Sequence, residues 1–203
     1  FSLLRKELPV LPHPQADQPG GQQSPHVGGG CYLPNDFEWP KDSKGKALLH
    51  LMTVPAGWVE EGAEGWLSLF TPYDQQDTYL HWEELTVNGE NESVVIYHDN
   101  CGDVRNDYGD LSPARKVEIE VSSMMETDKD FTSRVDGTIA WVQDLESLSG
   151  SSCRMMINGD DIDIGFAEEP GIFSDGVVYV FLKDNFQLGS RPSVQGVLTF
   201  QFS

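Results

Sequence analysis

The sequence predicts an α+β domain that is strongly β-rich, built mostly of antiparallel sheet, with an internal duplication of two half-domains. Three observations predict it. Short apolar runs bounded by turn residues recur along the chain, which is how buried strands read. The segments between them are mostly too short for the crossovers that parallel strands need. The run "RKVEIEV" alternates Val117, Ile119 and Val121 with Lys116, Glu118 and Glu120, as a strand with one dry and one wet face does.

Taken in order, residues 9–30 hold five prolines and five glycines and read as an extended Pro/Gly-rich lead-in, so we divide the chain into a lead-in over 1–27 and one domain over 28–203. "LLHLMTV" (48–54) and "WLSLFT" (66–71) read as buried strands flanking the Gly-rich acidic loop "GWVEEGAEG". Residues 77–87 fit strand or helix equally well. "SVVIYH" (93–98) is a strand by its β-branched and aromatic content. "TDKDFTSR" (127–134) fits a short helix capped by Thr127. "CRMMI", "DIDIGF", "VVYVFLK" and "GVLTFQF" follow as strands, the last with Leu198, Phe200 and Phe202 on one face. The strand–loop–strand grammar ending at Phe70 recurs in the segment ending at Phe181, which suggests halves 28–122 and 123–203.

Composition bounds the function. Hydrophobic residues make up 38% of 203 residues, enough for a core and too many for a disordered chain. The formal charge is −20, from 33 Asp and Glu against 13 Lys and Arg. The acids are spread through the chain, 15 before residue 101 and 18 after, so the charge belongs to the whole surface. Such a surface repels nucleic acid and anionic lipid and attracts basic partners; acidity that serves solubility alone is the competing reading. No run approaches the ~18 apolar residues of a membrane span. A cytoplasmic location is the expectation, with room for a segment upstream of Phe1.

Candidate chemistry is sparse. Cys31, Cys101 and Cys153 form no CxxC pair and read as mostly buried free thiols, outside any zinc site or disulfide framework. The triglycine Gly28–Gly30 leads to Tyr32-Leu33-Pro34, which opens no helix, so the phosphate-loop geometry is missing. His13, His26, His50, His81 and His98 include no i,i+4 pair or HExxH; His50, inside an apolar strand, reads as a hydrogen-bonded core histidine. "YHDNCGD" places His98 near Cys101, but a base and its nucleophile usually come from separate elements. "DNCGDVRNDYGD" and "NGDDIDIGFAEE" lack EF-hand spacing. We therefore expect no catalytic residues, no metal and no cofactor.

"GGGCYLPNDFEWP" (28–40) resembles the signature of the YwqG-like family, a bacterial domain of unknown function. "LLHLMTV", "GWLSLF", "RMMINGDDIDIG…FSDGVVYVF" and "LTFQFS" are similar to its strand segments in weaker form, so the resemblance spans about 27–203. The resemblance implies a β-rich α+β fold with an internal duplication. It also implies an association with polymorphic toxins, hence an immunity or antitoxin role. The chain departs from the family pattern near Met52, at Asn158 and at Phe173-Ser174-Asp175.

The expected function is a non-catalytic immunity-type protein that binds and neutralises a basic toxin effector, without nucleic-acid or membrane partners. The candidate contacts are Glu60, Glu61 and Glu64, around Trp58 and Trp66, and Asp103, Asp107 and Asp110, around Tyr108. Aromatic anchors ringed by charge are what strong interfaces use. Two alternatives stand beside it. A small-ligand or peptide-binding regulatory module predicts an aromatic pocket at Trp39, Trp141 or Phe173; a two-carboxylate hydrolase predicts an acid pair in a cleft.

Overall fold

A computed structural model describes residues 2–5, 24–74, 76, 85–86, 90–109, 115–116, 118–121, 131–135, 139–144, 146–163, 166 and 171–202. The strands are β1 (Ser2–Arg5), β2 (His26–Val27), β3 (Leu49–Pro55), β4 (Trp66–Thr71), β5 (Val94–His98), β6 (Arg115–Lys116), β7 (Glu118–Val121), β8 (Arg134–Val135), β9 (Ser151–Asn158), β10 (Gly176–Lys183) and β11 (Ser193–Phe202). A single short helix, α1 (Gly159–Asp163), is described with them. All eleven strands join one sheet in the order β6-β2-β3-β4-β5-β11-β10-β9-β8-β1-β7. The protein is thus strongly β-rich, and α+β describes it only loosely. Every ladder is antiparallel except those of β1, which lies parallel to β7 and to β8.

The two ends of that order are successive pieces of one run. Residues 115–116 pair with β2, and 118–121 pair with β1, so the alternating stretch "RKVEIEV" carries the sheet round until it closes on itself. Closure leaves fewer exposed strand edges. Strands β1 and β2 lie before residue 28 and are part of this sheet.

The order is also palindromic about the β5/β11 ladder. One meander, β2-β3-β4-β5, meets another, β8-β9-β10-β11, and both carry the same irregularity. In β3 the pairing with β4 skips Leu51, leaving His50 opposite Phe70. In β9 the pairing with β10 skips Arg154, leaving Cys153 opposite Phe181. A bulge inserts one residue and re-aims the side chains beside it.

The inner faces of both meanders share one core, which includes Met52, Val54, Leu67, Leu69, Met155, Ile157, Val180 and Phe200. Each outer face is covered by an irregular strap. Over the first meander lies 28–48, burying Cys31, Leu33, Trp39 and Leu48 against Phe70 and Ile96. Over the second lies 139–148, packing Ala140 and Trp141 on Met156, Tyr179 and Phe181. Trp39 meets Phe70 edge-on at 5.1 Å, and Trp141 lies 6.3 Å from Phe181. Tyr179 fixes the second strap: its hydroxyl donates to Ala140 O at 2.7 Å and accepts from Val142 N at 3.1 Å. Tyr179→Phe leaves both strap groups without that partner, and is expected to cost about 1–3 kcal/mol in denaturant unfolding; an unchanged midpoint would show that the hydroxyl does not anchor the strap.

Two expected elements are corrected. "DIDIGF" is not a strand over its described residues: Asn158 Oδ1 accepts from Asp160 N at 2.9 Å and starts α1. Asp163 then accepts from Phe173 N and Ser174 Oγ, while Ile162 enters the core. An acidic alternation reads the same whether the polar face meets water or caps local amides. The helix expected over 127–134 fails over 131–134, because Arg134 pairs in β8 with Met156 and Ser133 Oγ is taken by Asn158 N; 127–130 lie outside the described residues. Phe202 lies on the same face as Leu198 and Phe200, stacked 5.9 Å from Phe200, and is 40% exposed at the end of β11. Of residues 77–87, only 85–86 are described.

Candidate functional site

The strap over the first meander begins with two residues in left-handed backbone conformation, Gly28 (φ 67) and Gly29 (φ 64), a region that costs other residues strain. Gly28 N donates to Leu51 O at 2.7 Å, and Cys31 pairs with Arg105 across an isolated bridge. The glycines therefore turn the chain from β2 onto the outer face of the sheet. Trp39 is 1% exposed; its indole N–H donates to Leu48 O at 2.9 Å, and the Arg105 guanidinium sits 5.8 Å from its ring centroid. Arg105 also donates to Phe37 O. At Gly102 a Cβ would overlap the carbonyl of Leu33, so the close passage of the 99–109 loop over the strap requires glycine there.

Beneath this strap, four polar residues from three apolar strands meet: two from β3 and one each from β4 and β5. Because Leu51 is bulged, His50 and Thr53 face the same way, and His50 Nε2 lies 2.9 Å from Thr53 Oγ1. Thr53 Oγ1 is 2.6 Å from Ser68 Oγ, which is 2.7 Å from His98 Nε2. The outer ring nitrogens face carbonyls, His50 Nδ1 at 3.4 Å from Gly29 O and His98 Nδ1 at 3.1 Å from Asp99 O. Cys31 Sγ adds a contact to Ser68 Oγ at 3.2 Å. His26 lies beside His50 at 5.5 Å between ring centroids, with its nitrogens each 2.9 Å from the carbonyls of Ser24 and Gly30. All of these side chains are buried to 0% exposure.

Burial sets their acid–base character. It pushes the Cys31 thiol up to about 11, which removes the thiolate needed for nucleophilic chemistry. Burial pulls His98 down to about 4 and holds His50 well below the ordinary range, with the neighbouring His26 adding to the second effect. A Ser–His contact of 2.7 Å has the geometry of an activated nucleophile, but this one is sealed under the strap. No group of three or more His, Cys, Asp or Glu suited to a metal ion occurs among the described residues.

The acidic candidates fall elsewhere. The turn after β3 is exposed at Glu61 and Glu64. Glu60 is half-buried and held 3.1 Å from Arg154, the bulged residue of β9. Arg191 ties this turn to the end of β5, 3.8 Å from Glu64 and 3.2 Å from Asp99, its guanidinium over Tyr97. Asp103 and Asp107 are exposed on the 99–109 loop; Asn35 accepts from Asp103 N at 2.8 Å and donates to its carboxylate at 3.1 Å. Tyr108 is half-buried against Tyr73, beyond the C-terminal end of β4, and donates to Tyr73 O at 3.2 Å. The Glu60–Glu64 turn joins the opposite end of β4. The 99–109 loop thus starts beside that turn, where Trp66 pairs with His98, and runs on to Tyr108 at the other end of β4; Asp110 lies outside the described residues.

Asn35 ties the strap to Asp103, so the exposed strap acids Asp36 and Glu38 run beside the loop that carries Asp103, Asp107 and Val104, which is 58% exposed. Lys41 bonds Glu38 at 2.6 Å and is further held in its charged form by Asp107. Reading by sequence missed Asp36 and Glu38 because the contact crosses from the strap to a loop 68 residues away.

Other expectations resolve plainly. His50 is a buried core histidine, hydrogen-bonded to Thr53, as read from its strand. The partner of His98 is Ser68, from a neighbouring strand. Cys31 is buried, but Cys101 is exposed and Cys153 partly so, because Cys101 follows the sheet's edge into a surface loop. The three aromatics proposed for a ligand pocket belong to three separate clusters, with Trp39 and Phe173 fully buried. The sequence signal for the buried polar chain was the polar residues inside apolar runs, His50 and Thr53 in "LLHLMTV", Ser68 in "WLSLF" and His98 in "VVIYH"; only strand register could show that they meet. No helix among the described residues is long and apolar enough to cross a membrane.

No curated protein and no solved structure is matched by the chain. The family described as a domain of unknown function, DUF1963, matches residues 25–169, well over half of the chain. That span takes in the first strap, the buried polar chain and both acidic loops, and the protein belongs to the DUF1963 family.

Proposed function

We propose that the protein is a non-catalytic binding protein of the immunity or antitoxin class, which holds a basic effector protein through its acidic outer loops. One observation carries this reading. None of the buried polar side chains among the described residues is a carboxylate, whereas the groups suited to nucleophilic chemistry, Ser68, His98 and Cys31, are sealed inside. Carboxylates are outside and reactive chemistry inside. The contact surface is the strap face and the 99–109 loop, with Asp36, Glu38, Asp103 and Asp107, extended by Glu61 and Glu64 of the turn before β4. The anchor segment "GGGCYLPNDFEWP" supports placing the chain in the YwqG-like group of its family. The matched bulges and paired Trp–Phe contacts support two copies of one structural plan.

Long-range attraction acts on the association rate. Asp103→Lys with Asp107→Lys is expected to slow association with the effector about 10-fold at low salt and to flatten its salt dependence, with dissociation changed less. Stopped-flow mixing with the product of a neighbouring toxin gene checks this. The reading is lost if no such product binds, or if it binds at a rate that ignores both salt and charge reversal.

A further inference from the structure

The buried chain His50–Thr53–Ser68–His98 has a hydrogen count that limits the charge it can carry. Its three internal contacts, together with one carbonyl at each outer ring nitrogen, ask for five hydrogens. Two neutral imidazoles and two hydroxyls supply four. The neutral chain runs one way: His50 Nε2–H donates to Thr53, Thr53 to Ser68, Ser68 to His98 Nε2, and His98 Nδ1–H to Asp99 O. The contact left without a hydrogen is the longest, His50 Nδ1 to Gly29 O at 3.4 Å. Ser68 also faces Cys31 Sγ at 3.2 Å, which fills its remaining acceptor position. One added proton satisfies the fifth contact. A second leaves an Nε2–H at each end, with six hydrogens for five contacts and a second positive charge in the chain.

Among the described residues that charge meets no counterion inside. From β2 the neighbour is His26, its ring nitrogens each 2.9 Å from a carbonyl. From the strap it is Cys31, and from the covering loop Arg105, bonded to the strap at Cys31 and Phe37. The carboxylate next to the end of the chain, Asp99, is 55% exposed and committed to Arg191 at 3.2 Å. Two protons on the chain place two imidazoliums under one cover.

We propose that the Gly28–Trp39 strap is an acid-released cover, held shut by the hydrogen-bonded chain beneath it and opened when that chain takes up its second proton. Opening unseats Gly28 and Cys31 from Leu51 and Arg105, and it uncovers Ser68, His98 and the Cys31 thiol. The second strap has no such chain; apolar Met156 and Tyr179 stand where Thr53 and Ser68 stand in the first. Release is therefore local to one half, and it stands apart from the partner reading.

Amide hydrogen exchange at pH 7 and pH 5, corrected for intrinsic rates, tests it; both values lie above the sequence pI of 4.3. The amides of Gly28 and Cys31 are expected to exchange about 20-fold faster at pH 5, the linkage for His98 moving between 6.5 and about 4. The β10–β11 ladder keeps its protection. In His98→Gln the acceleration shrinks to a few-fold at most. Equal corrected rates at the two pH values, joint loss of protection in the ladder, or the same acceleration in His98→Gln would each overturn the proposal. Should His98→Gln not fold, ¹⁵N-histidine spectra of the wild type decide. At pH 7 His98 is expected as the neutral Nδ1–H tautomer; a charged His98 at pH 7 overturns it.

Discussion

Trp39→Ala is expected to destabilise the protein by about 3–5 kcal/mol, the range for emptying a well-packed aromatic site. Trp39 is 1% exposed, meets Phe70 edge-on at 5.1 Å and donates to Leu48 O. The Arg105 guanidinium that links strap and loop sits beside its ring. Truncation opens a cavity, strands a buried carbonyl and loosens Arg105 together. For a chain of this length that loss lowers the melting temperature by about 10 °C. Trp141→Ala serves as the comparison: Trp141 is half-buried and stacks on Tyr179 at 4.4 Å, so a cost of about 1–2 kcal/mol is expected. Chemical denaturation of the two variants separates them. A Trp39→Ala cost no larger than that of Trp141→Ala would mean that the family's recognisable segment is not held by packing, and that its residues are kept for contact with something else.

Acidification is expected to destabilise the protein between pH 6.5 and about 4 through His98. Its folded pKa is depressed, to about 4, chiefly by burial. The unfolded chain therefore takes up a proton in this window while the folded protein does not. The stabilisation is fully present above the unfolded value and is lost as pH falls toward the folded one. The lowering corresponds to about 3 kcal/mol at most, and His50 acts in the same direction. Two effects oppose it. Burial raises Asp161 and Asp163, so the folded state binds their protons more tightly as pH falls. Relief of repulsion among 33 acids also favours compactness. Unfolding free energies of wild type and His98→Gln, measured across the range, isolate the histidine: the gap between them should narrow as pH falls. A constant gap would remove His98 as the acid-sensitive group.

Much of the sheet was legible in the chain. "WLSLFT" coincides with β4, and "SVVIYH" and "VVYVFLK" lie within a residue of β5 and β10, because fully buried strands are continuous apolar runs whatever their neighbours. "RKVEIEV" was read as a strand from its alternation, yet its part in joining the two ends of the sheet depends on pairing with β1 and β2, which no local pattern encodes. "DIDIGF" misled because an acidic alternation serves equally for a wet strand face and for side chains that cap nearby amides. Glu61, Glu64, Asp103 and Asp107 are exposed as read, whereas Glu60 is half-buried against Arg154, a contact from β9 that only the tertiary structure supplies.

The sequence by itself determined the β-rich class, the negative surface and the membership of residues 25–169 in a family of unknown function, since each depends on composition or on contiguous pattern. Tertiary structure alone decided that His50, Thr53, Ser68 and His98 form one chain beneath the triglycine strap. A bulge at Leu51 and the stagger of three strands set which side chains share a face, and one residue of slip would have scattered them.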